Sequence, residues 1–188
     1  MIKIGVTGSI SSGKSTFASF LSGRKYPVFN ADKSVAEIYK DKSFVKQIFK
    51  LFKLKNKKKI KFQLKKSIEK NESNLKKLEK IIHPKVRRKM KKFSQKNKNK
   101  NVLIFDIPLL VESKLMKKFD VTVFVDCKKE TRLKRFIRKG GRKKIFNILN
   151  KRQMLASKKR KFCDYKINNN KKLEFLRKNA KMIINNYE

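Results

Sequence analysis

At 188 residues the chain is most simply one domain, with room for a real core and for an inserted subdomain. Its 55 Lys and Arg against 14 Asp and Glu give a formal net charge of +41, which points either to polyanionic partners or to composition alone. The two Cys, Cys127 and Cys163, lie far apart without a Cys-x-x-Cys pair, and no apolar run approaches membrane-spanning length, which excludes a disulfide frame, a zinc site and a helical membrane span.

Ile2-Lys3-Ile4-Gly5-Val6 predicts a short buried strand. Because the chain enters it directly, no signal peptide is expected, and a cytoplasmic protein with reduced thiols is. Gly8-Ser9-Ile10-Ser11-Ser12-Gly13-Lys14-Ser15 follows and fits G-x-x-x-x-G-K-[ST] without a mismatch, and Thr16 to Leu21 predicts the first turns of a helix. Strand, loop and helix in that order separate a phosphate-binding loop from an ordinary Gly/Ser turn. Such a loop turns successive backbone N–H groups inward, and the helix N-terminus adds unpaired donors and its positive dipole end. Lys14 then reaches the β- and γ-phosphates, while the Ser15 hydroxyl can ligate Mg²⁺. Gly8, Ser11, Ser12, Gly13, Lys14, Ser15 and Thr16 are thus the candidate triphosphate-binding residues.

Tyr26-Pro27-Val28-Phe29 predicts a second strand, closed by Asn30-Ala31-Asp32 and a helix from Lys33 to about Tyr39. This alternation implies a parallel sheet, in which ligands sit at the carboxyl ends of the strands. Asp32 reaches that edge as a candidate general base, with a helix N-cap as the other use for it. From Lys42 to about Gln95 apolar residues recur at helical spacing, as an inserted substrate-binding subdomain would. Its His83, before Pro84, reads by residue type as a helix-end or structural residue before a catalytic one. The basic residues run throughout Lys53–Lys100 and Arg132–Lys161, with no stripe and no interleaved aromatics. Lys, Asn, Ile and Phe each have a codon made of A and T alone, so a biased coding sequence accounts for this pattern. Non-specific, salt-sensitive binding to polyanions is still expected.

Val102-Leu103-Ile104-Phe105 predicts an apolar strand ending in Asp106, a candidate Mg²⁺ carboxylate or a turn-forming Asp before Pro108. Val121 to Val125 predicts another, followed by a helix at Glu130–Ile137. Arg132, Arg135, Arg138, Lys139 and Arg142 flank Gly140-Gly141, which suits either a mobile phosphate-closing lid or a solvated basic helix. A long helix is expected from there to about Arg160, then a last strand at Asp164–Ile167 and a closing helix from about Leu173 to Ile184.

Together these residues resemble the dephospho-coenzyme A kinase family. Gly5 to Ser15 resembles its phosphate loop and Asn30-Ala31-Asp32 its Asp-Ala-Asp motif. His83-Pro84, Pro108-Leu109-Leu110-Val111-Glu112, Glu130 to Arg135, and Gln153, Lys159, Asp164, Ile167 and Asn169 follow in the family's order. The resemblance implies a P-loop NTPase three-layer α/β fold with a parallel sheet of about five strands. It implies one domain over 1–188, with a core of 1–32, 100–137 and 162–188, a helical acceptor-binding insert at about 33–99 and a lid at about 138–161. It also implies ATP-dependent phosphorylation of the ribose 3′-hydroxyl of dephospho-coenzyme A, the last step of coenzyme A synthesis.

In that assignment Lys14 neutralises phosphate charge, Ser15 and Asp106 hold Mg²⁺, and Asp32 takes the hydroxyl proton. Lys61, His83, Arg87, Pro108 and Leu109, with Asp32, contact the acceptor. Arg138 or Lys139, with Lys159, supplies the lid's charge, and Asn169 lies near the adenine. The implied partner is the small-molecule substrate, with no specific nucleic-acid or membrane partner and a monomer or weak oligomer. The chain departs from the family at Ser9 and Ser11, which replace loop glycines, and at Asn30, Lys61 and Cys163. Serine is strained at a loop position that needs positive φ. An adenylate-kinase-like nucleotide kinase, and a basic RNA- or membrane-associated protein with a relic loop, are the rival readings.

Overall fold

The computed structural model of the protein describes residues 1–56 and 60–187; the stretch of the expected helical insert and basic run at 57–59 lies outside the described residues. The chain divides into two compact units, one of Met1–Ala31 with Phe93–Glu188 and one of Asp32–Lys92.

The first unit is built on five strands, β1 (Ile2–Gly8), β2 (Val28–Asn30), β3 (Val102–Asp106), β4 (Val121–Asp126) and β5 (Tyr165–Asn168). They pair in the order β2-β3-β1-β4-β5, every neighbouring pair parallel. A parallel sheet covered on both faces wants near-continuous apolar strands, and Val102 to Phe105 and Val121 to Val125 supply them. Ile4 and Val6, Val102 and Ile104, and Val121, Val123 and Val125 alternate onto one face. There they form the core with Phe17, Ala18 and Leu21 of α1 (Lys14–Ser22) and Leu176, Ala180 and Ile183 of α9 (Leu173–Asn185). Elsewhere Phe105 meets the rings of Phe29, Phe93 and Phe119 at centroid distances of 5.9, 5.5 and 5.2 Å.

Register fixes what lies at the carboxyl edge. Asn30 is paired with Asp106, Asp106 with Val6, and Gly8 with Val125. The phosphate-loop entry, Asn30 and Asp106 therefore sit side by side. After β4 in the chain come α6 (Lys129–Arg138), α7 (Lys143–Arg152) and α8 (Ala156–Arg160). The single long helix expected up to Arg160 is thus two helices, because Gln153 and Leu155 are extended, with φ/ψ of −84°/147° and −53°/137°. The residues of this break have partners outside the segment, described below.

The second unit holds most of α2 (Ala31–Ile38), then α3 (Lys42–Phe52), α4 (Ile60–Lys70) and most of α5 (Ser73–Lys96). Asp41 starts α3 by accepting from the Ser43 hydroxyl at 2.7 Å and from the N–H groups of Phe44 and Ser43 at 3.2 and 2.8 Å, which holds its carboxyl below the usual range. Phe44 and Ile48, Leu64 and Ile68, and Leu75, Leu78 and Ile82 are the buried positions of α3, α4 and α5. His83-Pro84 falls inside α5, not at a helix end. Proline there removes one donor and leaves the Lys80 carbonyl without its helical partner.

Candidate functional site

The loop between β1 and α1 has the conformation that its glycines allow. Gly13 sits at φ 96°, in the left-handed region, and a Cβ there would strike the Asn169 amide. At Gly8 a Cβ would lie 2.6 Å from the Val125 carbonyl oxygen and 2.5 Å from the Ser12 hydroxyl. The backbone can therefore pass closely only with glycine at both places. Ser11 is at φ 57°, so serine there carries the left-handed strain; Ser9 is buried without it. Inside the loop the Ser12 hydroxyl is buried and has no hydrogen-bond partner in the protein, a polar atom of the kind a bound phosphate satisfies. Lys14 is 7% exposed at the first residue of α1, and Ser15 and Thr16 after it are exposed.

Polar side chains from three other segments brace this loop. Asn169, buried just past β5, donates from Nδ2 to the Ser12 carbonyl at 2.7 Å. Arg132 and Arg135 lie three residues apart on α6 and so share a face. Arg135 Nη1 reaches the Ser12 carbonyl and the Cys127 sulfur at 3.4 Å each, and its Nη2 the Asn169 carbonyl at 3.4 Å. Arg132 is buried; it donates from Nε to the Cys127 carbonyl at 3.0 Å and from Nη1 to Asn150 Oδ1 at 2.8 Å and the Ile10 carbonyl at 3.5 Å. Burial lowers the pKa of Arg132 and raises that of Cys127. Arg138, next on the same stripe, is exposed at the last residue of α6, and Gly140 follows at φ 78°. Gln153 Oε1 accepts from the Ile10 N–H at 2.8 Å.

The turn after β3 forms a second element of the site. Asp106 is 1% exposed at the end of the strand, and Asn30 Nδ2 donates to its Oδ2 at 2.6 Å. The Pro108 carbonyl accepts from Thr7 Oγ1 at 3.1 Å and from Lys159 Nζ at 2.7 Å. Lys159 is fully buried and pairs with Glu112 Oε1 at 3.0 Å, and that oxygen also accepts from the Met154 N–H at 3.0 Å. Burial pulls the Lys159 pKa down, and Glu112 pushes it back up. Leu109 is half-buried beside Pro108. The structure thus places Lys159 as a buried tie between α8 and this turn, and Asn169 as a brace on the loop backbone.

The remaining sequence-named residues lie in the helical unit. Asp32 is exposed in the first turn of α2, one residue inside it, so it does not occupy the N-cap. Lys61, exposed on α4, has its Nζ 5.5 Å from the centre of the Tyr39 ring, whose hydroxyl burial pushes up to about 12. His83 and Arg87, four residues apart on α5, share one helix face. Sequence reasoning missed Asn150 and Thr7 altogether. It named Arg132 and Arg135 as lid or basic-helix arginines and Gln153 as a member of a motif, since their partner is loop backbone, which has no sequence signature.

The profile of the dephospho-CoA kinase family matches residues 2–174. A dephospho-CoA kinase of Bartonella quintana is 36% identical over 188 residues, covering 97% of this chain and 96% of that protein. Among solved structures, a Thermus thermophilus protein aligns with a TM-score of 0.79 at 28% identity over 100% of this chain and 98% of that one. The dephospho-CoA kinase from Campylobacter jejuni aligns at 0.68 and 26%, over 97% and 95%.

Proposed function

The chain belongs to the dephospho-coenzyme A kinase family, and from that premise we propose how its residues divide the transfer of a phosphoryl group from ATP to the ribose 3′-hydroxyl of dephospho-coenzyme A. The reaction is the final step of coenzyme A synthesis. ATP is the donor and dephospho-coenzyme A the acceptor. Such a transfer asks little covalent work of the protein, so positioning and charge stabilisation carry the rate.

In our reading Gly8 to Thr16 wrap the triphosphate, and Lys14 neutralises charge on it. The observation that carries this is the loop itself: left-handed Gly13 at the head of α1, with the partnerless Ser12 hydroxyl inside it. Asp106 and the Ser15 hydroxyl would hold Mg²⁺. One carboxylate and a hydroxyl beside phosphates are the sparse donor set Mg²⁺ takes. A Mg²⁺ held there would supply positive charge against the negative charge that develops on the transferring phosphoryl group.

Asp32 accepts the acceptor's proton; its exposure and its place two residues past β2 support this over a cap. Lys61, His83 and Arg87 of the helical unit, with Pro108 and Leu109, contact the acceptor. Arg138 or Lys139, beside Gly140, brings cationic charge from a lid at about 138–161. Lys159 and Asn169 serve the ATP site through the turn and loop that they hold. The buried free thiols of Cys127 and Cys163 suit a reducing cytoplasm, and among the described residues no helix is long and apolar enough to cross a membrane. The +41 charge gives non-specific, salt-sensitive adhesion to polyanions, and the enzyme works as a monomer or weak oligomer.

Two variants test the division of labour. Lys14→Ala should lose several orders of magnitude in turnover. Asp32→Asn should lose turnover while calorimetry still finds ATP bound nearly as tightly. If ATP affinity and turnover fell in parallel in Asp32→Asn, the base assignment would fail.

A further inference from the structure

The Ile10 peptide, at the third position of the loop, is gripped from both sides by residues that the chemistry above does not use. Its N–H goes to Gln153 Oε1 at 2.8 Å. Its carbonyl is approached at 3.5 Å by Arg132 Nη1, and that nitrogen is itself held by Asn150 Oδ1 at 2.8 Å. Asn150 and Gln153 both come from the C-terminal end of α7, where the helix stops and Gln153 turns extended. A helix end commonly leaves its polar groups to water. Here the segment is fastened instead, and Glu112 takes the next N–H, that of Met154, at 3.0 Å.

We propose that Gln153 is a positioning residue for the phosphate loop, holding the Ile10 peptide so that the loop is set for triphosphate before the nucleotide arrives. The physical need for it is visible in the neighbours. Ser11 follows Ile10 at φ 57°, a conformation that serine leaves readily unless its flanks are fixed. The Ser12 N–H folds back onto the Ser9 carbonyl at 3.1 Å, and Asn169 and Arg135 hold the Ser12 carbonyl. Gln153 therefore secures the side of the strained residue that the Asn169 and Arg135 contacts leave unheld. With the Ile10 N–H committed outward, the anion nest is built from the donors nearer α1, and their directions are set in advance. Preorganisation of this kind lowers the ordering cost of binding and appears in ATP affinity, not in acceptor affinity.

The inference rests on the reading that this loop binds ATP, and the test separates the two. Gln153→Met keeps the length and removes the acceptor oxygen; Gln153→Glu keeps an oxygen at the same reach. Amide exchange at Ile10, followed by NMR, should be about two- to tenfold faster in Gln153→Met, the range for one net hydrogen bond. Kd and KM for ATP should rise by a similar factor, with KM for dephospho-coenzyme A unchanged and Tm lowered by only about 2–4 °C, the share of one hydrogen bond. Gln153→Glu should keep the Ile10 amide protected. Wild-type exchange and ATP affinity in Gln153→Met would overturn the proposal, and so would a loss spread equally over Tm and both KM values. Unchanged ATP affinity in Lys14→Ala would instead overturn the reading of the loop.

Discussion

Lys159→Met separates a structural lysine from a phosphate-binding one. The Lys159 side chain is fully buried, its Nζ 2.7 Å from the Pro108 carbonyl and 3.0 Å from Glu112 Oε1. Methionine fills the space but leaves the Glu112 carboxylate, 16% exposed, without its cation. Removing one partner of a buried pair costs about 3–5 kcal/mol. Glu112 keeps the Met154 N–H and Pro108 keeps Thr7, so the low end, about 3 kcal/mol, is expected. For a chain of this size that is a fall in Tm of about 6–12 °C. Adding Glu112→Gln removes the stranded charge and should recover most of the loss, because the cost lay in the unpaired ion and not in the missing bond. Thermal and urea unfolding at neutral pH, with KM for ATP measured alongside, checks this. A Lys159→Met protein that melts like wild type while its KM for ATP rises steeply would refute the reasoning and make Lys159 a direct phosphate ligand.

The loop serines should respond in opposite directions. Ser11→Gly relieves a left-handed residue and should be neutral or stabilising by up to about 1 kcal/mol, with ATP affinity kept. Ser9→Gly, with no strain to relieve, should cost about 0.5–1 kcal/mol in urea unfolding, and equal effects would contradict the assignment. Burial pushes the Cys163 thiol up to about 11 from an ordinary value near 9.0. A raised pKa means that its stabilising share is complete below pH 9 and is lost as pH rises through 11. Between pH 8 and 11 wild type should therefore lose about 2 kcal/mol more than Cys163→Ala in urea midpoints. Parallel curves would place the thiol in water.

What could be read in advance was whatever is local in the chain. The phosphate loop is eight consecutive residues whose glycines are demanded by a neighbouring atom or by a positive φ, so pattern and geometry coincide. The parallel sheet follows from apolar strands alternating with helices, and Asp106 is at the edge because it ends one of those strands. What escaped was set by partners distant in sequence. Gln153, where the expected long helix breaks, has its partner in Ile10, 143 residues away. The tie of Lys159 to Glu112, 47 residues away, and that of Asn169 to the Ser12 carbonyl, 157 residues away, were out of view for the same reason. His83-Pro84 reads as a helix end by local rules, yet buried Leu75, Leu78 and Ile82 belong to a helix long enough to carry a proline through.

The most direct test of the account is a coupled assay of ADP release at moderate salt, with ATP, Mg²⁺ and dephospho-coenzyme A, and with AMP as the control acceptor. The account predicts ADP release that requires dephospho-coenzyme A, is not supported by AMP, and disappears in Lys14→Ala. Release with AMP and none with dephospho-coenzyme A, or ATP bound without turnover on either, would contradict it.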